Sequence, residues 1–121
     1  MHELSLMESV IDMVRESALS NHIVKVTRIK LVVGKMSMAL PDSLRFAFDV
    51  LKSTDDLLQA AVLEIEEQDV VGRCRQCQTE FAVGSGYRLV CPGCGSMSVE
   101  IISGRQLYVD NYEGEEEDGT G

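Results

Sequence analysis

Cys74-Arg75-Gln76-Cys77 and Cys91-Pro92-Gly93-Cys94 are two CxxC knuckles separated by 13 residues, and their reading decides how the rest of the chain is organised. Each pair makes a tight turn that points two thiolates the same way, and two such turns complete a tetrahedron of sulfur suited to zinc. Gly95 lets the backbone turn after the second knuckle and offer an amide to sulfur. A segment of about thirty residues cannot build a hydrophobic core, so metal binding has to supply its folding free energy, on the order of 10 kcal/mol for a structural zinc site. Redox chemistry by one CxxC pair fits less well. That motif follows a strand and opens a helix, whereas Pro92-Gly93 followed by Gly95 makes a poor helix start. An iron–sulfur cluster or another metal is the minor alternative. Four thiolates leave no open coordination position for water, which disfavours catalytic zinc and leaves the function to be found elsewhere.

Working outward, Ala61, Leu63 and Ile65 alternate with Val62, Glu64 and Glu66 before the knuckles, and Leu107 and Val109 alternate within Gln106–Asp110 after them. Both stretches read as strands, so the cysteine module, about residues 70 to 102, is an excursion between two strands of one sheet. Upstream, Val24 to Val33 is rich in β-branched residues and alternates Ile29, Leu31 and Val33 against Arg28 and Lys30, a half-buried strand closed by Gly34. Between the first two strands, Pro41-Asp42-Ser43 opens a helix whose apolar face is Leu44, Ala47, Phe48 and Leu51. At the start, Leu4, Met7, Ile11, Val14 and Ala18 mark another amphipathic helix, with Ser5-x-x-Glu8 as a candidate capping box and Ser20-Asn21 as its end.

The expected fold is α+β: a small three-stranded sheet with two helices on one face, plus a zinc-ribbon-like four-cysteine module. The crossing helix lets the first two strands run parallel. In domain terms, residues 1–69 with a returning strand at about 103–111 form one domain and 70–102 the metal-stapled one. The Glu-rich end, 113–121, offers no apolar residue to bury and is expected to be a disordered acidic tail.

Composition bounds the function. With 121 residues the chain can bury one modest core. A net charge of -9 argues against nucleic acid, whose affinity depends on cationic contacts that release counterions. No apolar run approaches the roughly 20 residues that cross a bilayer, and Glu3 and Glu8 stand where a signal peptide has basic residues. The expected location is therefore the cytoplasm, with no membrane partner, where cysteines serve as metal ligands more often than as disulfides. A small sheet carrying an inserted module leaves room for a homodimer by domain swapping. There is no His/Asp/Ser constellation or phosphate-cradling glycine loop, so the chain does not read as an enzyme.

The unusual feature is Met1-His2-Glu3, running directly into the first helix. The α-amine, the deprotonated His2 backbone nitrogen and the His2 ring Nδ1 form fused chelate rings around one cation, and the Glu3 carboxylate adds an oxygen. That nitrogen-rich set favours nickel or copper in tetragonal geometry. His22 reads as an exposed residue at a helix end, and the methionines as core filler. Two functions compete: a metal-transfer protein, and a zinc-ribbon protein-interaction or regulatory module. The latter needs a basic or aromatic binding face that the acidic composition does not supply.

Met1-His2-Glu3 running into Leu4-Ser5-Leu6-Met7, a strand ending Val32-Val33-Gly34, the helix segment Leu44-Arg45-Phe46-Ala47-Phe48 and a late CxxC, CPxC pair together resemble the HypA/HybF family of hydrogenase nickel-insertion accessory proteins. The resemblance spans nearly the whole chain. It implies that Met1, His2 and Glu3 bind Ni(II) as cargo and that Cys74, Cys77, Cys91 and Cys94 hold structural Zn(II). It also implies a HypB-type GTPase as partner and the large subunit of a NiFe-hydrogenase as client, with urease maturation served by some members. An acidic residue before the second helix adds a ligand in some members, and Asp42 is the candidate here. Two features depart from the pattern: Gln78 stands where a zinc knuckle often has Gly, and the Glu-rich end is not part of it.

Overall fold

Helical spacing does bury one face of the first segment. Met7, Val10, Ile11, Val14 and Ala18 are all buried on α1, His2–Ser20. The computed structural model describes residues 2–84 and 88–117, apart from the side chain of His2. Because α1 already begins at His2, Ser5 lies a turn inside the helix and the expected capping box does not form. Glu3 places an acid in the first turn instead, where it favours the positive end of the helix dipole. Leu4 is 44% exposed and falls off the buried stripe. The helix ends as expected: the Asn21 backbone N–H and side-chain amide both donate to the Ser17 carbonyl, and His22 turns the chain out with φ of 60°.

The chain then forms β1 (Ile23–Gly34), a 3-10 turn (Lys35–Ser37), α2 (Pro41–Lys52) and β2 (Val62–Gln68). Three short strands follow, β3 (Val71–Cys74), β4 (Glu80–Ala82) and β5 (Val99–Ser103), and β6 (Leu107–Glu116) closes the order. The strands make two three-stranded sheets, ordered β2-β1-β6 and β4-β3-β5. In the first, Arg28 pairs with Glu64 and Lys30 with Glu66, so the rungs climb together and β1 and β2 run parallel, joined through α2. β6 runs the other way, with the Gly34 N–H on the Gln106 carbonyl at one end and the Glu117 N–H on the His22 carbonyl at the other.

Two compact units result: the described residues of 1–32, 39–66 and 108–121, and residues 33–38 with 67–107. The first unit has an ordinary apolar core. Val26, Ile29 and Leu31 of β1 are buried with the α1 stripe, with Leu44, Ala47 and Phe48 of α2, and with Leu58 and Ala61. The solvent side of its sheet is a charged ladder, in which the Arg28 guanidinium reaches Glu113, Glu64 and Asn111 across three strands, and Lys30 reaches Glu66. Opposition from Glu113 and Glu64 holds the Arg28 pKa above its ordinary value.

That ladder explains a correction. β6 continues to Glu116, so residues 113–116, expected in a disordered tail, are strand. Glu113 is drawn in by Arg28, and Gly114 permits the approach: a Cβ there would stand 2.6 Å from the Lys25 carbonyl oxygen. Residues 118–121 of the expected tail lie outside the described residues.

The second unit is built differently. β3 pairs antiparallel with β4 and with β5, with Arg73 opposite Glu80 and Glu100. The segment after β1 is held to the backbone near Gly104, where the Met36 N–H donates to the Gly104 carbonyl. Gly104 has φ of 83°, and a Cβ on it would stand 2.4 Å from the Asp69 carbonyl oxygen, so only glycine fits.

Candidate metal centre

The two knuckles are near copies of each other. In the first, the Gln78 N–H donates to the Cys74 carbonyl at 2.9 Å; in the second, the Gly95 N–H donates to the Cys91 carbonyl at 2.9 Å. Both residues have a left-handed backbone, φ of 66° at Gln78 and 75° at Gly95. Gln78, which departs from the usual glycine, therefore accepts the same conformation against its side chain's preference, with its amide nitrogen donating to the Arg75 carbonyl. Each turn also aims an amide at a sulfur: Cys77 N–H at Cys74 Sγ, 3.5 Å, and Gly93 N–H at Cys91 Sγ, 3.4 Å.

β3 carries Cys74 and its pairing with β4 and β5 brings the knuckles face to face. The four Sγ atoms lie within 4.8 Å of one another. Cys74 Sγ is 3.6 Å from Cys94 Sγ and Cys77 Sγ is 3.5 Å from Cys91 Sγ. A sulfur tetrahedron around zinc, with Zn–S near 2.3 Å, has edges of about 3.8 Å, so the donor set fits zinc in type, number and spacing. Cys74 and Cys91 are buried, Cys77 and Cys94 exposed, and none is in a disulfide.

The electrostatics set the four thiols apart. The Cys77 thiol is lowered to about 6, first by the Thr79 hydroxyl at 3.1 Å and then by the Thr79 amide. Cys74 is lowered too, chiefly by the Cys77 amide. At Cys94 the Ser96 amide also acts downward, but Cys74, burial, Cys91 and Cys77 together outweigh it and push the thiol up to about 12. Four sulfurs so close cannot all ionise unless a positive charge sits among them. Thr79 escaped the sequence reading, although its place two residues after a knuckle cysteine is the signal that finds it. The strands β3, β4 and β5 were likewise unread inside the module.

In the first unit, Glu3 on the first turn of α1 and Asp42 on the first turn of α2 line one open cleft with Leu4, Ser43, Phe46, Ala47 and Val50. Asp42 is fully exposed, with Arg45 at 3.5 Å as its ion-pair partner. A Glu3 carboxylate oxygen accepts the Leu40 N–H at 3.3 Å. Two of the four expected nickel ligands thus line one cleft, while Met1 and the His2 side chain lie outside the described residues.

The family model described as "Hydrogenase/urease nickel incorporation, metallochaperone, hypA" matches residues 1–114. The chain belongs to the HypA family. Relatives include the hydrogenase maturation factor HypA of Moorella thermoacetica, 44% identical over 95% of this chain and all of that protein. That of a Nostoc species is 39% identical over 96% and 97%. Among solved structures, the nickel metallochaperone HypA from Helicobacter pylori superposes with a TM-score of 0.72 at 25% identity, over 95% of this chain and 98% of that one. A second HypA solution structure gives 0.75 at 26% identity, over 97% and 98%. HypA proteins are nickel-incorporation metallochaperones, and the four-cysteine group described above is consistent with a zinc site in the second unit. Among the described residues no helix is long and apolar enough to cross a membrane.

Proposed function

We propose that this chain takes up Ni(II) at its N-terminus through the Met1 amine, the His2 backbone and ring nitrogens and Glu3, with Asp42 at the rim. It holds Zn(II) on Cys74, Cys77, Cys91 and Cys94, and hands its nickel to a HypB-type GTPase and the large subunit of a NiFe-hydrogenase in the cytoplasm. The observation that carries this reading is the open cleft that Glu3 and Asp42 both line although they stand on different helices. Two carboxylates there add hard oxygen ligands and negative charge beside the nitrogen donors of the terminus.

The helix start makes the terminal chelate inexpensive. The first four N–H groups of a helix have no intrahelical acceptor, so the His2 N–H can be lost to a metal without breaking a helical bond. A site on the chain end and an exposed cleft is open to attack ligand by ligand, which is what transfer to an acceptor requires. Loading costs the protein only protons, from the Met1 amine and the His2 amide, and no bond between heavy atoms is made or broken. Nickel affinity falls as pH falls, because the amine and the His2 amide nitrogen regain protons.

Nickel titration of protein with its native Met1, of protein extended before Met1, and of His2→Ala tests this. The extension and His2→Ala are each expected to abolish tight nickel binding while zinc content stays the same. Equal affinity in the extended protein would show the terminal chelate to be wrong.

A further inference from the structure

α2 lacks the usual device for starting a helix. Its N-cap residue is Leu40, which has no side-chain oxygen to offer the first-turn amides, and no side chain caps it. In a capping box the residue three places on reaches back to the N-cap N–H, but in α2 that residue is Ser43, whose side chain is too short to return there. The Leu40 N–H goes instead to the carboxylate of Glu3, from a different helix. Pro41 at the first helical position has no N–H to offer, and the Leu40 N–H ties the start of α2 to the first turn of α1.

We propose that Glu3 is a positioning residue for the nickel site as well as a ligand. By accepting the Leu40 N–H, it registers the first turn of α1 against the start of α2 and so presents the metal-binding end of the chain to Asp42, two residues beyond Leu40. This rests on the nickel reading above. The two roles are compatible, because a carboxylate has two oxygens and about four lone-pair sites, and giving one oxygen to a metal leaves the other for the amide. The arrangement also sets a division of labour. The hydrogen bond from Leu40 sets the first turn of α1 before metal arrives, and the remaining donors close around the ion.

Leu40 offers a clean test, because its side chain is 61% exposed and its φ of -91° is near the range of proline. Leu40→Pro deletes the N–H without touching any proposed ligand, and Leu40→Ala keeps it. In zinc-loaded protein with a native terminus, Leu40→Pro is expected to lower the backbone order parameters of residues 2–5 and weaken nickel binding roughly three- to tenfold, the value of one hydrogen bond. Leu40→Ala is expected to change neither. Should Leu40→Pro fold poorly, Glu3→Gln and Glu3→Ala replace it. Gln retains a carbonyl oxygen for the amide and is expected to keep the order parameters, whereas Ala loses them. Unchanged order parameters in Leu40→Pro, or in Glu3→Ala, overturn the proposal. So does lowered order with unchanged nickel affinity in a background where His2→Ala abolishes binding. If His2→Ala leaves nickel binding intact, the terminal-chelate reading has failed instead, and the order parameters alone decide whether the latch exists.

Discussion

The two units of this small chain solve the same problem by different means. The first carries sixteen acidic against six basic residues, yet folds around a conventional apolar core in which Met7, Ile29, Leu31, Leu44, Phe48 and Leu58 are inaccessible. The second carries four acidic against five basic residues and buries little beyond valines 33, 70, 83 and 99 and the two cysteines Cys74 and Cys91. Area removed from water can stabilise the first unit; the second buries much less, and the zinc proposed on its four cysteines would make up the difference. The comparison teaches where charge can be tolerated. A unit held by an apolar core can be strongly acidic outside, which suits attraction of a divalent cation to its cleft.

The comparison can be broken most directly at Cys91. Replacing this buried thiol with serine, Cys91→Ser, leaves three sulfurs and is expected to forfeit most of the binding free energy of the site, on the order of 10 kcal/mol for structural zinc. Zinc content should fall below one per chain, and the amide signals of β3, β4 and β5 should collapse to unfolded positions in an NMR spectrum. Those of α1 and α2 should stay dispersed. Collapse of all signals together would show that the first unit does not stand on its core alone.

The reciprocal change is smaller. Phe48→Ala removes the largest inaccessible side chain of the first unit and is expected to cost about 3–5 kcal/mol, transfer and cavity terms combined. Denaturant unfolding followed by helical circular dichroism should shift accordingly. Zinc affinity, measured by competition with a chelator, should stay the same, since Phe48 and the cysteines belong to different units.

Much of this division is legible in the residues. The period of Met7, Ile11, Val14 and Ala18, and the alternation of Ile29, Leu31 and Val33, announce elements that the structure contains, although Val32 between the last two is buried as well, so the end of β1 is covered on both faces. The knuckles announce their own cluster, because metal chemistry fixes ligand spacing. What escapes the residues is set by tertiary partners. Glu113 reads as tail until Arg28 is placed opposite it, and Ser5 reads as a cap until the helix is seen to start at His2. β4 is three residues long and has no periodicity to detect. Nor does any local pattern show that Glu3 reaches the amide of Leu40, a contact between segments distant in the chain.

The smallest effect separates the units most finely. Gln78 and His22 are both non-glycine residues with a left-handed backbone, one in each unit, φ of 66° and 60°. For L-residues that conformation costs roughly 1–2 kcal/mol. Glycine removes the cost but returns part of it through a more flexible unfolded chain, so Gln78→Gly and His22→Gly should each gain about 0.5–1 kcal/mol. The readout should differ. If zinc on the four cysteines folds the second unit, as proposed, the gain at Gln78 should appear as zinc held roughly two- to fivefold more tightly, reduced by the lost Gln78 bond to the Arg75 carbonyl. At the end of α1 the gain from His22→Gly should appear as a higher denaturant midpoint, with zinc affinity unmoved. A change of zinc affinity in His22→Gly, or of α1 unfolding in Gln78→Gly, would mean that the two units fold as one. The separate origins of their stability would then have to be given up.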